Sequence, residues 1–122
     1  MNATPRTVTV RTLDHGPVTL TCPAWCTGAH DDDVHRVDVS HDGPEHVIAP
    51  GGREVLRALV TQAPYSSVDQ AVGLYVEVAD LADTRNPADV EQLADDLTAA
   101  AEQLRALARE LAALLAGGEP SE

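Results

Sequence analysis

The chain has 122 residues, and its 20 Asp and Glu against 8 Arg and no Lys give a formal charge of -12. Nucleic-acid affinity comes largely from Lys and Arg that neutralise phosphates, so this composition argues against a DNA or RNA reader. No apolar run approaches the roughly 20 residues of a membrane span, and the N-terminus lacks the apolar centre of a signal peptide, so we expect a cytoplasmic protein without membrane contact.

The length predicts a single domain over residues 1–122 with a modest core. Val, Leu and Ala must fill that core, because the chain has no Phe and only Trp25, Tyr65 and Tyr75 supply aromatic bulk. Trp25 could shield a site between the two cysteines, although we interpret it as a core aromatic. A small core gains from an additional cross-link, so a bound metal would have a structural role here.

The N-terminal third predicts a β-hairpin over residues 7–22, followed by a polar loop. Segments 7–13 and 18–22 are rich in Val and Thr and flank Asp14-His15-Gly16-Pro17, which is typical of a four-residue turn. Residues 22–43 are dense in Asp and His and poor in aliphatic side chains. We interpret them as a metal-binding loop that little except ligand bonds holds in place.

Strands are predicted between residues 45 and 80. Segments 37–39 and 45–49 could each form a short strand, and 54–62 fits either a strand or one helix face, of which we choose the strand. Residues 72–79 alternate at period two and give the clearest strand. We expect the apolar set to face the core, namely Val72, Leu74, Val76 and Val78. Tyr75 and Glu77, which alternate with it, should face solvent or a partner.

A long helix is predicted over residues 87–116. Asn86 suits the N-cap and Pro87 the first turn, and the glycine pair after residue 116 suits a stop, which leaves 117–122 as a flexible tail. At 1.5 Å per residue the helix spans roughly 45 Å, longer than one small sheet requires. The expected fold class is α+β: a small antiparallel sheet of about four to five strands with an inserted zinc-binding loop and one long C-terminal helix.

Apolar residues in this helix repeat at heptad spacing over four heptads. A third apolar position widens the stripe to about three in seven, which suits packing on a sheet or in a bundle better than a two-stranded coil. Asp96, Gln103 and Glu110 beside the stripe offer no matched charges for a parallel pair. A homodimer through this helix stays open beside packing into the core. The three sets are Val90, Leu97, Leu104 and Leu111; Leu93, Ala100, Leu107 and Leu114; and Ala94, Ala101, Ala108 and Leu115.

The segment CPAWCTGAH places Cys22, Cys26 and His30 at equal four-residue spacing, with His35 and His41 beyond. Two thiolates and two imidazoles suit tetrahedral zinc, and two close cysteines in a reducing cytoplasm more often bind a metal or act in redox chemistry than form a structural disulfide. The backbone must turn between Cys22 and His30, as a Pro and a Gly there permit. Spacing alone favours His35 as the fourth ligand over His41, which needs a longer loop. Free or redox-active thiols are the alternative to zinc.

CPAWC with His30, the later VSHDG and the helix start NPADVEQLADDL together resemble a family of small actinobacterial proteins catalogued only as a domain of unknown function. The resemblance extends from about residue 8 to residue 115. It implies a CP-x-WC-x-x-x-H motif and a later histidine that matches His41, so we take His41 as the fourth ligand and keep His35 as the alternative. The resemblance implies no activity.

Three functions remain open for this chain. A ligand set without a catalytic partner favours a non-enzymatic, zinc-stabilised module that presents an interaction surface to a protein partner. An alternative is a zinc-dependent hydrolase with an open Cys2His site, in which an acid among Asp31, Asp32, Asp33 and Glu45 acts as base. A further alternative, from charge alone, is an acidic regulator that binds a basic protein surface.

Overall fold

The structure is a computed structural model that describes residues 6–117. The fold is α+β, as predicted, but its strands form two antiparallel sheets instead of one. The elements described are β1 (Arg6–Thr12), β2 (Gly16–Cys22), a 3-10 helix (Arg36–Asp38), β3 (His41–Asp42), β4 (His46–Ile48), β5 (Leu56–Gln62), β6 (Gly73–Val78) and α1 (Pro87–Gly117).

Strands β1 and β2 pair over their full length as a two-stranded hairpin. Thr12 pairs with Gly16, so the connection is residues 13–15 instead of the four residues predicted. Gly16 has a φ of 62°, which a glycine adopts without steric cost. The Thr12 hydroxyl donates to the Gly16 carbonyl at 2.7 Å and accepts the His15 N–H at 2.9 Å. These bonds close the turn and start β2 earlier than predicted.

The larger sheet is built around β5. β6 pairs along one edge of β5, while β3 and β4 pair one after the other along the opposite edge. Between them the Gly43 N–H donates to the Val60 carbonyl at 2.8 Å, so β3 and β4 act as one interrupted strand. The strand predicted at 37–39 is wrong. That segment turns as a 3-10 helix, whose first N–H, on Arg36, donates to an Asp14 carboxylate oxygen at 2.9 Å.

Helix α1 begins as predicted, because the Asn86 side chain accepts the Asp89 N–H at 2.9 Å and caps the first turn. The helix runs to Gly117, one residue further than predicted, and residues 118–122 of the predicted tail lie outside the described residues. One face of the helix and one face of the larger sheet enclose what we call the sheet–helix cluster. Its buried members are Ile48, Val55, Leu56, Ala58, Ala100 and Leu107. Within residues 6–117 no helix is both long enough and apolar enough to cross a membrane.

The expectation that the valines of β6 face the core is wrong for the outer end of that strand. Val76 and Val78 lie opposite Ala58 and Leu56, two members of the sheet–helix cluster, yet they are 40% and 67% exposed. α1 contacts β6, and Leu74 of this edge strand packs against the cluster, but the two valines further along the strand stay largely exposed.

A second, smaller apolar group joins the hairpin to the loop, and we call it the hairpin–loop cluster. Its buried members are Val10, Leu20 and Val39. The loop also bonds directly to β1 and β3: the Asp33 N–H donates to the Arg11 carbonyl at 2.7 Å, and the Thr27 N–H donates to the Asp42 carbonyl at 2.9 Å. The prediction that little except ligand bonds holds this loop is therefore wrong.

Candidate metal centre

Three separate elements supply the side chains of one cluster. Cys22 ends β2, Cys26 and His30 lie in the loop, and His41 begins β3. One ligand atom from each of the four residues lies within 4.8 Å of all the others. Cys22, Cys26 and His41 are buried and His30 is half-buried, whereas His35 is exposed, precedes the 3-10 helix and is not part of the group. The structure thus brings together the four residues taken as ligands and leaves out the alternative.

A tight turn after Cys22 aims both thiols at one point. The Cys26 N–H donates to the Pro23 carbonyl at 3.0 Å, and the Gly28 N–H approaches the Cys26 sulfur at 3.3 Å. Gly28 has a φ of 87°, and a Cβ there would lie 3.0 Å from an Arg6 guanidinium nitrogen. The backbone conformation therefore favours glycine at position 28, and a larger residue there would also require the end of the Arg6 side chain to shift slightly.

The interatomic distances suit a shared ion. His30 Nε2 lies 3.3 Å from the Cys22 sulfur and 3.7 Å from the Cys26 sulfur. In a tetrahedral zinc site with ordinary bond lengths, a sulfur and a nitrogen ligand lie about 3.5 Å apart. The arrangement therefore needs little movement to enclose a metal of this size.

The electrostatics of the cluster favour a bound cation. Burial raises the pKa of the Cys22 thiol, and the neighbouring Cys26 raises it further, while Arg6 opposes the shift. Arg6 also donates to the Cys26 carbonyl, and to the Thr27 carbonyl at 3.4 Å. Two buried thiolates side by side are unfavourable without a compensating positive charge, which a divalent ion would supply.

Trp25 covers one side of the cluster. Its ring meets the His41 ring edge-on, with centroids 6.3 Å apart at 86°, and the His30 and His41 rings meet in the same manner at 5.4 Å and 80°. Trp25 is half-buried and belongs to neither apolar cluster described above, so its position departs from the core role expected. A ring in this place limits the access of water to His41.

A cavity of about 190 Å³ lies beside His30. The Nδ1 atom of His30 is buried and has no hydrogen-bond partner among the described residues. Of the acids considered as a catalytic base, only Asp31 lines this cavity. Asp32 and Asp33 bond to Arg11, and Glu45 forms an ion pair with Arg57. The polar lining is completed by Asp38, Ser40 and Asp42.

Sequence reasoning found the four side chains of the cluster but missed three residues that support it. Arg6 precedes the predicted hairpin and was given no role, Gly28 was expected only to permit a turn, and Trp25 was interpreted as core although a shielding role was considered. A glycine two residues after a cysteine is the one local signal that could have been used, because a backbone N–H at that position can reach the sulfur.

The fold and the cluster define a small α+β protein with a candidate Cys2His2 metal centre. Residues 7–113 match the family described as a domain of unknown function, DUF6907, and the chain belongs to that family. No curated protein and no solved structure matches the chain. The match includes all four residues of the cluster and most of α1, and the family description carries no activity.

Proposed function

We propose that Cys22, Cys26, His30 and His41 bind one zinc ion in a closed structural site, and that the protein is a non-enzymatic module that binds another protein. The observation that carries this proposal is the convergence of four donor atoms within 4.8 Å from a hairpin, a loop and a sheet. A metal in this position connects both sheets of the fold. The ion thereby adds binding free energy where the hairpin has little core of its own.

Zinc is the metal that fits this donor set. Thiolate and imidazole donors in a tetrahedron suit Zn²⁺, whereas calcium and magnesium require oxygen ligands. Two thiolates balance the charge of the ion, and both imidazoles stay neutral. Both cysteines are free of disulfides, so both sulfurs are available as ligands.

A structural role is better supported than hydrolysis. Catalytic zinc sites keep one coordination position for water, while four protein ligands fill a tetrahedron. Hydrolysis here would require one of the four ligands to leave and Asp31, across the cavity beside His30, to act as base. The acidic-regulator alternative rests on the charge of -12 and places the partner surface outside the metal centre.

Metal content tests the ligand set directly. We expect mass spectrometry of protein purified without added metal to give one zinc per chain under native conditions and none after denaturation. His41→Ala is expected to lose the zinc, while His35→Ala, the matched control, is expected to retain it. Zinc retained by His41→Ala, or lost by His35→Ala, would reject the ligand set.

Cobalt substitution tests whether the site is closed. Cobalt(II) in place of zinc gives visible absorption bands whose intensity and position report coordination number and thiolate ligation. We expect a four-coordinate spectrum that azide leaves unchanged, because a closed site offers no position for an added ligand. A spectrum that azide changes would favour the hydrolase alternative.

Salt dependence tests the acidic-regulator alternative. Attraction between exposed charges is screened within about 10 Å at 0.1 M salt. If the -12 charge drives partner binding, then the affinity for a basic protein should fall steeply as salt is raised. Capture of a partner that is insensitive to salt would instead favour an apolar interaction surface.

A further inference from the structure

Helix α1 carries a second apolar face that its own sheet does not cover. Ala100 and Leu107 are buried against the sheet, but Val90 and Leu97 on the neighbouring face are 52% and 44% exposed. We call this face the outer stripe. It consists of Val90, Ala94, Leu97, Ala101, Leu104 and Ala108, alternating at spacings of four and three residues. Val90, Ala94, Leu97 and Ala108 are exposed, whereas Ala101 and Leu104 are half-buried, and Leu104 also packs against the sheet–helix cluster at the margin of the stripe.

The outer stripe has the spacing of a helix–helix seam. Steps of four and three residues place side chains along one line of a helix, as positions a and d do in a coiled coil. Ala101, Leu104 and Ala108 also line a shallow surface depression together with Arg105. On the opposite side, Gln103 and Ala106 face β4, so the outer stripe lies toward the uncovered valines of β6.

Large and small residues alternate strictly along the outer stripe, and this alternation identifies what fits it. We propose that a second copy of this chain docks on the outer stripe with its helix antiparallel. In the antiparallel register that places Leu97 opposite Ala101 of the second copy, each large side chain meets an alanine. Val90 then faces Ala108 of the second copy, and Leu104 faces Ala94 of the second copy. A parallel pair would place alanine against alanine and leucine against leucine, which fills space poorly.

Charges beside the stripe select the same arrangement. Glu91, Thr98 and Arg105 follow the solvent side of the seam at heptad spacing. Antiparallel helices bring equivalent flanking positions together, so Glu91 faces Arg105 of the second copy, and the symmetry of the dimer repeats this pair. A shift of one heptad would place Arg105 opposite Thr98 of the second copy and lose both pairs.

The side chain of Arg105 is available for this contact. Its partner within the chain is Glu102, at 2.7 Å, and both side chains are well exposed. Two chains of charge -12 repel each other over their whole surfaces. The attraction between Arg105 and Glu91 of the second copy acts at short range and offsets part of that repulsion at the seam. Flanking pairs of this kind fix orientation and register, while the apolar seam supplies most of the affinity. The proposal does not depend on the metal centre.

Sedimentation velocity of the full-length, zinc-loaded protein over a wide range of concentrations tests the dimer. We expect a reversible dimer of twice the 12.9 kDa chain mass. Leu97→Glu is expected to leave only monomer, because it buries a charge in the seam. Circular dichroism of each variant verifies that the helix remains folded.

A charge-swap series tests the orientation. Glu91→Arg and Arg105→Glu are each expected to weaken the dimer about tenfold, since each converts two attractive pairs into two repulsive ones. The double variant E91R/R105E is expected to restore the affinity. Asp95→Arg makes the same charge change on an exposed position off the seam and is the control, expected to behave as wild type.

Two results would overturn the proposal. The first is a wild-type protein that stays monomeric at every concentration, which would assign the outer stripe to a different protein. The second is a double variant that dimerises no better than either single variant, since the antiparallel register would then be wrong.

Discussion

The two halves of this molecule are stabilised by different means. The helix and larger sheet share six buried apolar residues of the sheet–helix cluster, spread over three elements and the turn before β5. The hairpin half has three, namely Val10, Leu20 and Val39. A two-stranded hairpin is only marginally stable by itself in water. The half with the smaller apolar cluster is also the half that supplies three of the four candidate zinc ligands.

Together with the proposed zinc site, this difference means that apolar burial stabilises one half and metal coordination the other. Where a sheet and a helix can face each other, burial of Leu and Ile suffices for stability. Where the chain forms a hairpin and a polar loop, the proposed zinc site supplies metal bonds in place of a larger core. His41 is the connection between the two, because it lies on a strand of the larger sheet.

Removal of the metal should separate the two halves most clearly. We expect chelation of zinc, or Cys26→Ser, to increase amide exchange across residues 6–43 by at least about a hundredfold, because metal binding supplies much of the folding free energy in small zinc sites. Residues 93–107 of α1 should stay protected. Hydrogen exchange followed by mass spectrometry measures both regions at once. Equal loss of protection in both halves would show that they unfold together.

Truncation of a side chain in the sheet–helix cluster should destabilise the helix and larger sheet, whether or not zinc is bound. Leu107→Ala removes a buried side chain and is expected to lower the free energy of unfolding by about 2–5 kcal/mol, with zinc bound or removed. Leu13→Ala, at a residue 61% exposed on the hairpin turn, is the control and should cost far less. Urea denaturation of both variants gives the comparison. A cost for Leu107→Ala that disappears without zinc would contradict independent halves.

Two glycines with nearly the same backbone conformation provide a matched pair. Gly28 has a φ of 87° at the metal centre, and Gly52 has a φ of 86° in open space. Gly28→Ala and Gly52→Ala should each lower stability by about 1 kcal/mol through backbone strain. Gly28→Ala alone should also weaken zinc binding, because backbone strain there moves the N–H that approaches the Cys26 sulfur, and the end of the Arg6 side chain must shift slightly. Competition with a chromophoric chelator measures the affinity, and equal affinities in both variants would reject this role for Gly28.

The smallest expected effect concerns an ion pair on the larger sheet. The Arg57 guanidinium bonds to Glu54 and holds the pKa of that carboxyl below its usual 4.5. The contribution of this ion pair to stability is therefore fully present above pH 4.5. It is lost as the pH falls through the lower pKa that Glu54 has in the folded state. Glu54→Gln should be slightly less stable than wild type at neutral pH and indistinguishable in acid. Thermal unfolding from pH 2 to pH 7 checks this, with Asp95→Asn as an exposed control.

Local patterns in the sequence identified most of the elements. The hairpin, β5, β6 and α1 follow from period-two alternation, capping residues and heptad spacing, which depend on neighbours in the chain. The cluster of Cys22, Cys26, His30 and His41 was assembled partly from spacing and partly from family resemblance. The same local patterns misplaced the strand at 37–39, because the bond from Arg36 to Asp14 links residues distant in sequence.

Contacts between distant segments explain what the sequence could not show. Asp96 was expected beside the apolar stripe, yet it is 3% exposed beneath the turn before β5, where Gln92 donates to it at 2.8 Å and Arg53 lies 3.9 Å away. Nor does any local pattern reveal that Val76 and Val78 stay exposed on β6. Both features depend on how the helix lies across the sheet.

The positions of the ligands along the chain also bear on the order of folding. Cys22, Cys26 and His30 lie within nine residues, so an ion can join them at a small cost in loop-closure entropy. His41 is instead brought beside these residues by the pairing of its strand with Gln62 at the far end of β5. We therefore expect a three-ligand zinc complex to form early and its fourth bond to form late. Completion of the coordination sphere would then mark the moment at which the hairpin docks onto the rest of the protein.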